Sequence, residues 1–385
     1  MTDYDKALAQ FSRVEVAAIA PAELSDRIAG LCAAMRSAGL AAVWLDATSS
    51  LGYYTGLALK PSERLHGALI SAEGGLLYVT PNFERPKLET LIRLPGEIAV
   101  WEEEEDPFAL IAGRIGGRIG LDPAMSFGFA ARLMAMPGLQ VSSAQDLIAA
   151  QRRIKSPAEL AILQEAMTSS LAVQKAVHAG LRRGIGTREV TDFIDAAHGA
   201  LGLGPVFAAA QFGEATAYPH GVPHEQRLAE GDMVLVDLGG NLHGYHSDIT
   251  RTYVLGAPTD RQRHLWAGEH RAQQAGFAAA RPGIACAAVD AAARASLVAD
   301  GFGPGYLVPG LPHRTGHGLG LDLHEEPWIV AGNRMPLAAG MCFSIEPMLC
   351  VYGECGVRLE DIAYMTETGP RWFCSPSESL ETPFG

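Results

Sequence analysis

Paired cysteine spacing is missing from this chain. The six cysteines, Cys32, Cys286, Cys342, Cys350, Cys355 and Cys374, are scattered without a Cys-x-x-Cys pair. That argues against a zinc finger or a disulfide scaffold and leaves buried, reduced thiols. Long apolar runs are missing too: no window approaches the roughly 18 uncharged apolar residues of a membrane span, so no transmembrane helix is expected. Basic runs are absent, and 30 Lys+Arg against 43 Asp+Glu give a formal charge of −13, which argues against a nucleic-acid partner. Asp3, Asp5, Lys6, Arg13 and Glu15 interrupt the start of the chain, which lacks the charged-then-apolar order of a signal peptide. These absences leave a soluble cytoplasmic protein that meets neither nucleic acid nor membrane.

The 385 residues, 48% of them hydrophobic, suffice for two domains with sizeable cores, and the pattern divides near residue 155. In residues 1–155, a helix is expected over 22–38, with Leu24, Ile28, Leu31 and Met35 on one stripe and Gly39 as the stop. Strand-like runs follow at 41–45, 68–70, 76–79, 98–101 and 119–121, with helical stretches near 84–93, 107–115 and 127–135. Such alternation indicates a smaller α/β domain with a mixed or parallel sheet. Residues 156–385 open with Ser156-Pro157-Ala158-Glu159, a capping box with proline in the first turn. A second helix, capped by Thr187, is expected over 187–200, with others at 259–279 and 286–300. Strands at 206–211, 233–237, 342–346 and 357–364 complete an α+β domain.

Five acids and imidazoles in this second part carry the chemistry. Asp237 ends the apolar run Met233-Val234-Leu235-Val236, and Asp248 follows eleven residues later in Ser247-Asp248-Ile249-Thr250-Arg251-Thr252. His317 lies in Gly316-His317-Gly318, Glu346 in Ser344-Ile345-Glu346-Pro347 and Glu360 in Arg358-Leu359-Glu360-Asp361. Singly each has a plainer reading: a strand-end aspartate faces solvent, a Gly-His-Gly makes a turn, an acid marks an exposed strand face. Together, four carboxylates and one imidazole form a hard ligand set suited to two divalent first-row metals, with carboxylates bridging and the histidine completing one shell.

An internal echo accompanies them. Asp237 is the sixth residue after Gly231 in Leu228-Ala229-Glu230-Gly231, and Glu346 the sixth after Gly340 in Leu337-Ala338-Ala339-Gly340. Each acid precedes a returning strand with a second acid, eleven residues on at Asp248 and fourteen on at Glu360. Two such strand-turn-strand units related by a pseudo-two-fold axis would surround one centre with four carboxylates.

The order and spacing of these motifs resemble the metallopeptidase family that contains methionine aminopeptidase, aminopeptidase P and prolidase, most closely its shorter Xaa-Pro dipeptidases. The resemblance implies a C-terminal pita-bread (creatinase/aminopeptidase) domain after a creatinase-like N-terminal domain, which Leu51-Gly52-Tyr53-Tyr54-Thr55-Gly56 also resembles in a strand end. It implies two divalent metal ions per subunit, Mn2+ first, with Co2+, Zn2+ or Fe2+ open. Asp237 would bind one metal and His317 the other, with Asp248, Glu346 and Glu360 shared. A metal-bridging hydroxide would attack, with Glu346 as general base.

Three further histidines fall where the family has functional ones. His220, in Tyr218-Pro219-His220-Gly221, matches a histidine beside the substrate. His324, in Leu323-His324-Glu325-Glu326-Pro327, matches one that steadies the developing oxyanion. His313 and Arg358 match residues near the substrate carboxylate, although a salt bridge from Arg358 to a ligand carboxylate is as good a reading. His198 and the remaining histidines read as ordinary surface or interface residues. The implied substrate is an Xaa-Pro dipeptide; alternatives are a small non-peptide amide, as for ectoine hydrolase, or longer Xaa-Pro peptides, as for aminopeptidase P. Creatinase lacks the metal ligands, which this chain keeps. One departure is Pro205-Val206-Phe207-Ala208, which lacks the tyrosine many prolidases carry in the strand before the His220 position. A homodimer is implied, the N-terminal domain of one subunit bordering the active site of the other through Tyr53–Gly56 and the loop Lys60–His66.

Overall fold

The computed structural model describes residues 2–384. The chain forms two compact units, one of Ala17–Arg152 and a larger one of Arg153 onward joined by the residues up to Val16. The opening helix, α1 (Asp3–Leu8), therefore belongs with the second unit and not with the domain that follows it in sequence. Tyr4 stacks on Phe193 at 4.0 Å and donates its hydroxyl to the Val177 carbonyl, and Val14 N–H donates to the Leu201 carbonyl at 2.9 Å. Gly180 accommodates the ring, since a Cβ there would lie 2.1 Å from it.

The smaller unit runs α2 (Pro21–Ala38), β1 (Ala42–Asp46), α3 (Ser49–Thr55), β2 (Gly67–Ser71), β3 (Leu76–Pro81), α4 (Arg85–Leu91), β4 (Glu97–Trp101), α5 (Pro107–Arg114), β5 (Gly117–Leu121), α6 (Phe127–Met134), β6 (Leu139–Ser143) and α7 (Gln145–Arg152). Its six strands form one mixed sheet in the order β4-β3-β2-β1-β5-β6, antiparallel where β2 meets β1 and β3 and parallel elsewhere. Trp44, Leu69, Phe108, Ile111 and Ile119 lie in its core. Residues Leu51–Thr55 are helical, not a strand end: the Thr48 hydroxyl caps α3 by accepting the Ser50 N–H, and Gly56 closes it at φ +69.

The larger unit is a duplication. Its elements are α8 (Pro157–Gly180), α9 (Thr187–Leu201), β7 (Gly204–Phe212), β8 (Met233–Leu242), β9 (Tyr245–His246), β10 (Ile249–Val254), α10 (Asp260–Ala279), α11 (Cys286–Ala299), β11 (Gly316–Gly318), β12 (Glu325–Ile329), β13 (Cys342–Ile345), β14 (Met348–Val351), β15 (Cys355–Arg358), β16 (Asp361–Thr366) and β17 (Gly369–Trp372). Both long helices start in capping boxes, Ser156 with Glu159 and Thr259 with Gln262. Before α9, Gly184 N–H donates to the Leu228 carbonyl and Leu228 N–H to Ile185; before α11, Gly283 and Leu337 repeat the exchange with Ile284. On α8, Gln174 Nε2 donates to the carbonyls of Val236 and Ile249, both at 2.9 Å. On α10, Gln273 Nε2 donates to those of Ile345 and Leu359, at 3.4 and 3.1 Å. Each buried amide thus ties together a strand pair at the residues beside the candidate ligands.

Two sequence expectations change in detail. Gly186, not Thr187, is the N-cap of α9, and the Thr187 hydroxyl accepts the Gln226 N–H. The expected strand 357–364 is broken: β15 pairs with β14, β16 pairs with β13, and Leu359-Glu360 crosses between them. There Glu360 N–H donates to the Thr250 carbonyl at 3.1 Å, joining the two halves of the duplication. Fully buried Arg251 clamps the same junction, donating to the carbonyls of Thr250 and Glu360 and pairing with Asp361 at 2.6 Å.

Gly231 and Gly340, the glycines of the internal echo, both adopt φ +85. Around Gly231 an added Cβ meets nothing within 4 Å, whereas at Gly340 it lies 2.9 Å from Ile154 and 3.2 Å from the Lys155 carbonyl. Gly231→Ala should therefore cost about 1–2 kcal/mol, the left-handed penalty alone. Gly340→Ala should cost more. Thermal or urea midpoints of the two variants test this ordering, and equal losses would contradict the steric argument.

Candidate metal centre

The duplicated strand pairs bring all five sequence-marked ligands to one place. Asp237 lies within β8 opposite Thr250, and Asp248 sits just before β10. Glu346 follows β13, and Glu360 lies in the crossing between β15 and β16. His317 is central in β11, its N–H bonded to Ser344 Oγ at 2.9 Å; the same hydroxyl donates to Glu346 Oε1 at 3.0 Å. Ligand atoms of Asp237, Asp248 and Glu360 lie within 4.8 Å of one another, as do those of His317, Glu346 and Glu360. Glu360 is common to the two sets, and Asp248 and His317 form a third with His324.

The chemistry of the donors fits divalent cations. His317 Nδ1 bonds the Gly318 carbonyl at 3.0 Å, and a carbonyl only accepts, so Nδ1 carries a proton. In the neutral ring Nε2 then offers a lone pair, 3.0 Å from Glu346 Oε1 and 3.7 Å from Asp248 Oδ2. A lone pair facing two carboxylates calls for a cation between them. Asp237 Oδ1 and Glu360 Oε1 are buried without a hydrogen-bond partner among the described residues. Buried oxygens of this kind are costly unless something positive reaches them.

Burial, then mutual repulsion, pushes the Asp248 and Glu360 carboxyls well above the usual range. Burial raises Asp237 as well, with Arg358 pulling it back. Glu346 goes the other way: burial opposes its charge, but a proton on His317 Nε2, 3.0 Å away, would hold it down to about 2. Arg358 is nearly fully buried and committed on three sides, with Nη2 on Asp237 Oδ2, Nη1 on the Pro219 carbonyl at 3.0 Å and Nε on Thr250 Oγ1 at 3.1 Å. The ion pair read from the sequence for this arginine is present, its partner being the candidate ligand Asp237.

The other histidines flank the cluster unevenly. His324 is exposed, its ring edge-on to His317 at 4.2 Å, and burial of part of the ring together with His317 lowers its pKa to about 4. His313 bonds the Arg314 carbonyl through Nδ1 at 2.7 Å and leaves Nε2 buried without a partner among the described residues. His220 is exposed in the turn that follows Pro219. His198, expected at the surface, is fully buried and bonded to Ser170, which bonds in turn to Ser247 beside Asp248. Thr250 escaped sequence reasoning although its hydroxyl donates to Glu360 Oε2 at 2.7 Å. Its place two residues after Asp248 was the available signal.

A profile described as metallopeptidase family M24 matches residues 161–367, and one for the creatinase/prolidase N-terminal domain matches residues 27–154. The chain belongs to metallopeptidase family M24. It is a peptide-bond hydrolase with a creatinase-type N-terminal domain and a pita-bread catalytic domain. The probable dipeptidase PepE of Mycobacterium tuberculosis is 36% identical to this M24 chain over 350 residues, covering 89% of it and 92% of the relative. The Xaa-Pro dipeptidase of Lactobacillus delbrueckii subsp. lactis is 30% identical over 360 residues, covering 89% and 95%. The crystal structure of dipeptidase PepE from Mycobacterium ulcerans matches with a TM-score of 0.87 at 33% identity, over 95% of this chain and 99% of that one. The prolidase from Thermococcus sibiricus matches with a TM-score of 0.82 at 28% identity, over 91% and 96%.

Asp248→Asn and Glu360→Gln keep the shape of the cluster and remove one of its charges. Each variant should stay folded and lose at least one equivalent of divalent metal on dialysis, together with its activity. Elemental analysis beside circular dichroism checks this; two retained metals with full activity would sink the ligand assignment.

Proposed function

We propose that this M24 enzyme hydrolyses Xaa-Pro dipeptides with two divalent metal ions held by Asp237, Asp248, His317, Glu346 and Glu360. The observation that carries the reading is the convergence of these five side chains around buried oxygens without partners, Asp237 Oδ1 and Glu360 Oε1. The substrate class is supported by relatives named Xaa-Pro dipeptidase and prolidase. Manganese is the first assignment; cobalt, zinc and iron suit the same donors, and supply decides among them.

Bound there, two divalent cations supply a polarised scissile carbonyl and a water acidic enough to react near neutral pH. The protein's own groups do the rest. Glu346, ionised and held by the Ser344 hydroxyl, is the general base that takes a proton from the attacking water and passes it to the departing proline nitrogen. His324, neutral at pH 7 and beside His317, donates to the oxygen on which negative charge develops. His220 contacts the dipeptide, and His313, whose Nδ1 hydrogen is spent on the Arg314 carbonyl, takes the C-terminal carboxylate by adding a proton at Nε2 as the anion arrives. Arg358 holds Asp237 in place and stands within the same carboxylate-recognition region. A cytoplasmic homodimer completes the proposal, checked by sedimentation at about twice the 40.8 kDa chain mass.

The deciding experiment is a peptide panel on metal-loaded enzyme. Xaa-Pro dipeptides should be cleaved far faster than Xaa-Pro-Yaa tripeptides or amidated dipeptides. His313→Ala should raise KM for the dipeptide roughly tenfold, the scale of one lost hydrogen bond to a charged group. Equal rates on dipeptide and tripeptide would replace the proposal with aminopeptidase P behaviour, and failure on all peptides would point to a non-peptide amide.

A further inference from the structure

A histidine on a surface turn is only as well placed as the turn beneath it. No described residue hydrogen-bonds the exposed His220 ring, so its position is set by the backbone of Tyr218–Gly221. Arg358 Nη1 holds the middle of that turn through the Pro219 carbonyl at 3.0 Å. A second side chain holds both ends. Gln211, near the end of β7, is 3% exposed. With its amide oriented to satisfy both atoms, its nitrogen donates to the carbonyls of Ala215 at 3.0 Å and Tyr218 at 3.2 Å, while its oxygen accepts the Gly221 N–H at 2.9 Å. His220 is thus bracketed by Gln211, with two bonds before it and one after it.

The fit is close. Gly221 adopts φ +71, and a Cβ there would lie 3.1 Å from the end of the Gln211 amide that faces it, so the turn is folded directly over the amide. A buried amide with fewer partners would cost stability, whereas one that spends two of its three bonds on a single turn and the third on the segment leading into it fixes that turn. The duplication supports the same view. Gln211 pairs with Leu235, two residues before Asp237, and Gly318 pairs with Phe343, which puts His317 level with Ser344, two residues before Glu346. Gln211 therefore occupies, in the first half, the strand slot that the candidate ligand His317 occupies in the second.

We propose that Gln211 is a positioning residue for His220, acting through the turn Tyr218–Gly221. This rests on the reading of His220 as a substrate contact. Arg358 also touches the turn but is tied to Asp237, so its substitution disturbs the metal centre as well. Gln211 offers the separable test.

Four proteins are compared, metal-loaded and with an Xaa-Pro dipeptide: the parent, Gln211→Met, His220→Ala and the double variant. Metal content and thermal midpoint are measured on each. Gln211→Met should lower kcat/KM by roughly 10-fold to 100-fold in the parent and by under about twofold in the His220→Ala background, because an effect carried by His220 vanishes with it. If Gln211→Met does not fold, Gly221→Ala displaces the same turn from outside and should show the same dependence on His220. An equal fall in both backgrounds overturns the proposal while leaving the role of His220 intact. His220→Ala with parental kcat and KM overturns that role, and the proposal with it.

Discussion

Charge crowding is the constraint on which the larger unit depends. Asp237, Asp248, Glu346 and Glu360 share one buried centre, and two like charges about 4 Å apart repel by about 4 kcal/mol at an effective dielectric of about 20. A few such pairs rival the whole stability of a typical domain, about 5–15 kcal/mol. The fold answers first with fixed positive and polar groups: Arg358 on Asp237, and the hydroxyls of Thr250 and Ser344 on Glu360 and Glu346. What they leave uncovered, Asp237 Oδ1 and Glu360 Oε1, is where a divalent cation would act. The braces elsewhere follow from this. Gln174 and Gln273 tie the strand pairs beside the ligands, and Arg251 with Asp361 locks the junction on which Glu360 stands. Carboxylates that repel would otherwise separate by moving their backbones.

The duplication also explains an irregular spacing. Asp237 faces Thr250 across β8 and β10, while Ile345 pairs with Asp361, which sets Glu346 level with Glu360. Glu360 is thus the counterpart of Thr250, not of Asp248. Counting back two residues, the counterpart of Asp248 is Arg358. Of the three residues by which the intervals of eleven and fourteen differ, two come from the different slots of the second acids and one from the longer connection in the second half.

The candidate metal-centre residues were legible because they combine unusual residue types with tight local context: an acid after an apolar run, a histidine between glycines, a glutamate before proline; β8 itself runs on past that acid to Leu242. The major helices were legible through capping and period, as at Ser156 and along Leu24, Ile28 and Leu31. What stayed hidden depends on partners distant in sequence. The start of the chain gives no sign that Tyr4 will stack on Phe193, and Arg358 alone does not reveal Asp237 as its partner. His198 looked like a surface residue because its Ser170 and Ser247 partners come from other elements. The run 357–364 looked like one strand because β propensity continues through Leu359-Glu360, whereas the pairing partner changes there.

The asymmetry between the halves bears on which acid can exchange protons. Asp237 and Glu346 hold equivalent places, one at each half's strand, but their partners differ in kind. Asp237 gives one oxygen to Arg358, and a guanidinium keeps its protons at any pH an enzyme meets, so that oxygen is permanently engaged. Glu346 instead faces His317, whose Nε2 offers a lone pair in the neutral ring, and the Ser344 hydroxyl, whose single hydrogen can rotate. Neither blocks the arrival of a proton. On the proposed chemistry, the carboxylate beside the guanidinium can only bind, and the one beside the imidazole can also act as base. A duplicated backbone thus yields unlike acids by changing one neighbour on each side.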